Sequence, residues 1–188
     1  MNKFFVILLL LSTLMSCSDN NLNFNGSNIT EANLDSYFKL TSHNLEIKTT
    51  NDFKGKVVAI FFGFASCPDI CPTSMYELKK IKSELRENSN NLEVLFVSLD
   101  PERDTPELLS KFIPSFDSSF IGLTGTENEI QKITKQFKVY RKKVIQGDTY
   151  TIDHSSGIYL LDKNGKIRVR HPYGSEIQLI IEDIRKLI

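Results

Sequence analysis

Two cysteines in this chain are spaced for chemistry: Cys67 and Cys71, in Phe64-Ala65-Ser66-Cys67-Pro68-Asp69-Ile70-Cys71-Pro72. An i, i+4 spacing brings two side chains to one side of a helical turn, so both sulfurs can face one point. The free N–H groups at a helix start favour negative charge and hence the thiolate, the form that ligates metals and exchanges disulfides. Pro68 and Pro72 stiffen the segment and reduce the entropy lost on fixing the sulfurs.

Several roles are open to such a pair. A structural disulfide between residues so close closes a tiny loop and stabilises little. Zinc in a structural site wants a second Cys or His pair, and none follows. An iron–sulfur cluster wants more cysteines than the chain has. A redox pair remains, or a soft-metal site completed by one further ligand. Three histidines could supply that ligand. His43, in Thr41-Ser42-His43-Asn44, and His171, before Pro172, read as surface residues. His154 stands in Thr151-Ile152-Asp153-His154-Ser155-Ser156-Gly157, read as a polar loop entering a strand, where histidines are more often solvated than ligating. Two thiolates and an imidazole would suit copper, as Cu(I) or Cu(II). Spacing alone does not bring His154 to the cysteines.

The elements around the pair are legible. Val57 to Phe64 is a continuous apolar run rich in β-branched and aromatic residues, the pattern of a strand buried on both faces. Met75, Leu78, Ile81 and Leu85 recur at helical spacing, with Pro72 suited to the first turn. The cysteines therefore fall where a core strand hands over to a helix. Leu92 to Leu99 reads as a second core strand, Glu107 to Phe116 as a short helix interrupted by Pro114, Phe120 to Leu123 as a strand and Glu127 to Phe137 as a helix. Gly157 to Asp162 and Lys166 to Arg170 read as strands joined through Lys163-Asn164-Gly165, Asn-Gly being suited to the positive φ of a tight hairpin. An amphipathic helix fits Ile177 to Ile188. Strands alternating with helices predict an α/β domain with a mixed sheet.

The chain has 188 residues, enough for one domain with a proper core. Its 23 basic and 23 acidic side chains cancel, which argues against nucleic acid as a main partner. Lys3, the apolar run Phe4 to Leu11 and the small residues before Cys17 have the parts of a secretory signal. The run is shorter than the roughly 20 apolar residues that span a bilayer. Leu14, Ser16 and Cys17 resemble a bacterial lipoprotein box, with Met15 in place of the usual small residue. The expected layout is a lipoprotein-type signal over 1–16, lipid attachment at Cys17, a flexible tether over 17–33 and one domain over 34–188, facing the periplasm.

The motifs resemble those of the Sco/SenC family, copper chaperones of cytochrome c oxidase assembly. The blocks are Gly55-Lys56-Val57-Val58, Phe61-Phe62-Gly63-Phe64, the Cys67 to Pro72 segment, Asp100-Pro101-Glu102-Arg103-Asp104-Thr105-Pro106 and Asp153-His154-Ser155. They run in order over Phe38 to Leu187. The resemblance implies a thioredoxin-like fold: a mixed central sheet flanked by helices, with an inserted and a C-terminal hairpin. It implies that Cys67, Cys71 and His154 together bind one copper ion, Cu(I) or Cu(II), and that the dithiol can cycle to a disulfide. It implies as partner cytochrome c oxidase subunit II, whose dinuclear copper centre would be supplied, or another cuproprotein. An upstream copper donor, a thiol reductant and the membrane, reached through the N-terminal lipid, complete the expected partners. Asp100 is expected to order its loop from behind the ligands or, equally, to cap a helix or turn. Ala65-Ser66 replaces the Thr-His that many members carry before the first cysteine. The alternative is a thiol–disulfide oxidoreductase that keeps the cysteines of that copper site reduced, although Cys-x-x-x-Cys is one residue longer than the usual redox motif. A peroxidase of the same fold, which would want one reactive cysteine beside a Thr and an Arg, fits less well.

Overall fold

The computed structural model describes residues 22–188; the expected signal segment and Cys17 lie outside the described residues. At its centre is β4 (Val57–Gly63), with every residue buried. Its continuous apolar run is what a strand covered on both faces requires. On one side β4 pairs in parallel with β5 (Leu92–Ser98), and β5 with β6 (Ile121–Thr124). On the other side β4 pairs antiparallel with β9 (Gly157–Leu161), which continues to β10 (Ile167–Pro172) and β1 (Ser27–Asn28). The hairpin of β2 (Lys39–Ser42) and β3 (Ile47–Thr49) extends the β6 edge, giving the order β1-β10-β9-β4-β5-β6-β2-β3. The helices are α1 (Ile70–Glu84), α2 (Pro106–Phe112), α3 (Glu127–Gln136) and α4 (Ile177–Leu187). The arrangement is the mixed, thioredoxin-like sheet expected. β7 (Arg141–Gln146) and β8 (Thr149–His154) form the inserted hairpin, a separate two-stranded sheet between α3 and β9.

Local rules account for most boundaries. Thr105 caps α2 by accepting from the Leu108 N–H, with Pro106 in the first turn. Pro114 falls in a 3₁₀ turn (Ile113–Ser115) after α2 rather than inside it. A capping box of Thr126 and Glu129 starts α3. In the β9–β10 turn Gly165 has φ +81°, as its Asn-Gly context predicts.

Three expectations give way. The stretch read as a tether does not float: among its described residues, Ser27 and Asn28 pair with β10, and the Asn25 and Gly26 N–H groups donate to the Asp183 carboxylate at 2.8 and 2.9 Å. Gly26 sits so close to β10 that a Cβ would lie 2.7 Å from Val169 and 2.8 Å from His171. His171 is buried rather than superficial, its Nε2 3.1 Å from Asp183 Oδ2. His43 is half-buried, its Nδ1 accepting the Gly122 N–H at 3.0 Å, so it stitches the end of β2 to β6. Burial holds the His43 pKa below its ordinary value, consistent with a neutral acceptor.

The Asp183 cluster sets an acid limit on stability. Burial works to raise the Asp183 pKa, but the Lys186 ammonium at 2.7 Å and the Asn25 and Gly26 amides outweigh it and hold it low. Burial lowers the His171 pKa despite the nearby carboxylate. Both signs agree: the unfolded chain takes up protons first, so stability falls with pH, first through the ordinary histidine range and then below the ordinary carboxylate range. Asp183→Asn should cost about 1–3 kcal/mol at pH 7 and flatten the loss below pH ~4. Chemical denaturation of both proteins at several pH values measures this; an unaltered acid limb in the variant would contradict it.

Candidate metal centre

The cysteine loop leaves the sheet at the C-terminal end of β4. Its backbone is tied on both sides: the Leu99 N–H donates to the Gly63 carbonyl at 2.7 Å, and the Ala65 N–H to Asp104 Oδ2 at 3.0 Å. Asp104 is fully buried and also receives the Ser98 hydroxyl at 2.6 Å. Burial raises the Asp104 pKa, and these two donors work against it. The Cys67 N–H then closes a turn onto the Phe64 carbonyl at 3.2 Å.

Cys71 is the second residue of α1 and is fully buried; Cys67 is partly exposed, and both are free thiols. The two side chains interact directly, as the i, i+4 spacing predicts. The expected stabilisation of thiolate does not hold for Cys71. Burial drives its pKa well up, Cys67 and the Asp104 carboxylate add to the rise, and a backbone hydrogen bond with Phe64 opposes it. Desolvation outweighs the helix start because the sulfur faces the core, toward β4. A Cβ on Gly63 would lie 2.8 Å from Cys71 Sγ and 2.8 Å from the Phe61 ring. Gly63→Ala should therefore cost about 1–3 kcal/mol by overpacking and displace the Cys71 thiol. Denaturant midpoints and the native-state rate of Cys71 alkylation check this, the expected result being a lower midpoint and faster alkylation.

His154 ends β8 instead of lying in a loop. It is half-buried, and its ring meets Phe64 edge-on at 5.8 Å between centroids. Its Nδ1 lies 2.9 Å from the Ser155 carbonyl oxygen, which can only accept, so Nδ1 carries the proton and Nε2 keeps its lone pair. Burial lowers the His154 pKa and keeps the ring neutral, the form that ligates metals. Phe64 thus stands between the two features: the thiols follow it in the chain, and the imidazole lies against its ring. Among the described residues, no three His, Cys, Asp or Glu side chains converge at metal-ligand spacing. The chemistry of the donors, two sulfurs and an imidazole nitrogen, fits a soft metal.

Asp100 is buried and bonds within its surroundings: it accepts from Arg103 Nε and, at 2.8 Å, from the Tyr150 hydroxyl. Its carbonyl accepts the N–H groups of Arg103 and Asp104 at 3.2 and 2.8 Å. The residues around it that sequence reasoning did not single out are Ser98, Arg103, Asp104 and Tyr150. The Asp-Pro-Glu-Arg-Asp block carried the signal, because three carboxylates and a guanidinium so close in a turn need partners.

The SCO1/SenC family profile matches residues 26–188, essentially all of the described chain. The chain belongs to the SCO1/SenC family. An SCO2-like protein of Rickettsia prowazekii is 42% identical over 139 residues, covering 72% of this chain and 67% of that protein. Among solved Sco structures, ScoI of Bradyrhizobium japonicum with copper bound is 35% identical with a TM-score of 0.75, the match covering 81% of this chain and 98% of that one. A SCO1/SenC family lipoprotein of Bacillus anthracis is 29% identical with a TM-score of 0.73, covering 82% and 95%.

Proposed function

We propose that this Sco protein is a membrane-tethered copper chaperone that holds one copper ion through Cys67, Cys71 and His154. Its role would be to supply the dinuclear copper centre of cytochrome c oxidase subunit II. The observation that carries the reading is the meeting of a pair of free thiols and a neutral imidazole at one residue, Phe64. The ScoI relative solved with copper supports it. Copper is the cargo: the thiols lose their protons as the ion arrives and regain them as it leaves by ligand exchange. A cysteine that is partly exposed, Cys67, beside one fully buried, Cys71, gives an incoming partner thiol one accessible sulfur to displace first. The domain would face the periplasm, held by a lipid on Cys17; the lipoprotein relative is consistent with that anchor.

X-ray absorption at the copper edge of the Cu(I)-loaded protein tests the ligand set. Two sulfurs and one nitrogen are expected, with the nitrogen lost in His154→Ala. A sulfur-only shell in the parent protein would contradict the assignment.

The paired free thiols also favour a second reading, reduction of a disulfide in the partner's copper site. There the S–S bond between Cys67 and Cys71 would form as the partner's breaks, two electrons and two protons passing to the partner's sulfurs. This chemistry needs both cysteines and not His154.

A further inference from the structure

We infer that Arg103 is a positioning residue that sets how closely His154 approaches the cysteine pair; the inference rests on the copper reading above. The β7–β8 hairpin that carries His154 has no backbone ladder to the eight-stranded sheet. Apart from the short link Ser155-Ser156 that joins β8 to β9, its place against the domain is fixed by side-chain contacts. Alternation along β8 puts Tyr150, Ile152 and His154 on one face. Ile152 is buried and the Tyr150 hydroxyl reaches Asp100, so that face is the one turned to the domain.

Arg103 makes the link. Its Nη1 donates to the Tyr150 carbonyl at 3.0 Å, its guanidinium lies 3.9 Å from the centre of the Tyr150 ring, and its Nε is paired with Asp100. The same guanidinium lies 6.0 Å from the centre of the Phe64 ring, the ring His154 touches. The next residue, Asp104, holds the Ala65 N–H, two residues before Cys67. Adjacent side chains on one loop thus grip the segment leading to His154 and the segment leading to the cysteines. That loop is itself braced, because the Asp100 carbonyl accepts both the Arg103 and Asp104 amides.

Other hairpin contacts have a different reach. Lys143 pairs with Glu102 at 2.7 Å in an exposed setting, where such pairs contribute little. Arg141 donates to the Leu99 carbonyl at 2.5 Å and pairs with Glu127, anchoring the other strand. These contacts keep the hairpin docked when Arg103 is altered, so the expected loss is one of registration, not of folding. Arg103 Nη2 and Asp104 Oδ1 are buried with no hydrogen-bond partner.

The test compares Arg103→Gln and the milder Arg103→Lys with the parent, each in His154 and His154→Ala backgrounds. In the metal-free proteins, hydrogen exchange should quicken over 149–154 and 64–67 in Arg103→Gln and stay unchanged in β4 and β5. Cu(I) affinity, measured by competition with a chromophoric chelator, should fall roughly tenfold or more in the His154 background. In the His154→Ala background the same substitution should change affinity by less than about twofold. Arg103→Lys, which keeps a charge but loses the planar fork that reaches Tyr150 and Asp100 together, should give the same pattern at smaller size and covers the case in which Arg103→Gln does not fold. Unchanged exchange over 149–154, or equal affinity losses in the two backgrounds, would overturn the positioning role. Should His154→Ala leave Cu(I) affinity intact, the ligand reading fails by itself, and the exchange data still decide whether Arg103 fixes the hairpin.

Discussion

His154→Ala is expected to lower Cu(I) affinity by well over 100-fold while leaving the domain folded. Changes that merely misplace a ligand cost about 10–100-fold in metal affinity, and removal of the ligand itself exceeds that. The stability cost is small because the ring is half-buried and its aromatic contact is the single edge-on meeting with Phe64. Such a contact is worth about 0.5–1.5 kcal/mol beyond its area, against a typical domain stability of about 5–15 kcal/mol. The neighbouring anchors, Ile152 in the core and Tyr150 on Asp100, remain in place. Chelator competition and chemical denaturation together check this. A variant that binds as tightly as the parent would remove His154 from the ligand set.

The second large effect is at the thiols. Cys67→Ala and Cys71→Ala should each abolish tight Cu(I) binding, because a single thiolate and an imidazole leave the soft ion under-coordinated. Their stability effects should differ. Cys71 is fully buried beside Gly63, so its truncation opens space in the core. The loss there is about 1–2 kcal/mol by analogy with other small core truncations. Cys67 is partly exposed, and its truncation should change stability by less than about 0.5 kcal/mol. Serine at position 71 would add an unpaired hydroxyl and cost more than alanine. Isothermal unfolding and copper competition on the same samples separate the two effects. The pattern across all three positions also separates the two functional readings: loss at both cysteines with His154→Ala silent would favour disulfide reduction.

What could be read from the chain follows from what each signal depends on. The run Val57 to Phe64 announces a doubly covered strand because burial on both faces leaves no polar position in it. The turn at Asn164-Gly165 is local chemistry and was legible for the same reason. Residues whose partners lie far away were not. Asn25 and Gly26 look like linker residues until Asp183, 158 and 157 positions on, takes their amides. His171 looks exposed until that same carboxylate follows it into the core. The β7–β8 hairpin was expected only from the family resemblance, because Arg141 and Lys143 alternate with Lys142 and the period of two carries no hydrophobic contrast.

At the site, the cysteines were legible because their spacing is local, whereas His154 came from family resemblance and not from pattern. Asp104 stood in the quoted Asp-Pro-Glu-Arg-Asp block but was given no role, because its partner is not local. Its bond to Ala65, 39 residues earlier, exists only in the fold. The lowered thiol pKa expected at a helix start failed at Cys71 for a related reason. Helix position is visible in the sequence, while the depth of the sulfur beneath β4 is not.

Copper transfer tests the central claim most directly. The Cu(I)-loaded domain is mixed with a reduced, copper-free fragment of oxidase subunit II, and the absorption of the dinuclear centre is followed under conditions that allow the mixed-valence centre to form. Growth of that absorption as copper leaves the domain is the predicted result, with none from His154→Ala or either cysteine variant loaded at the same copper concentration. Failure of the parent protein to transfer copper, together with efficient reduction of the oxidised fragment's disulfide by its dithiol, would contradict the copper-delivery account.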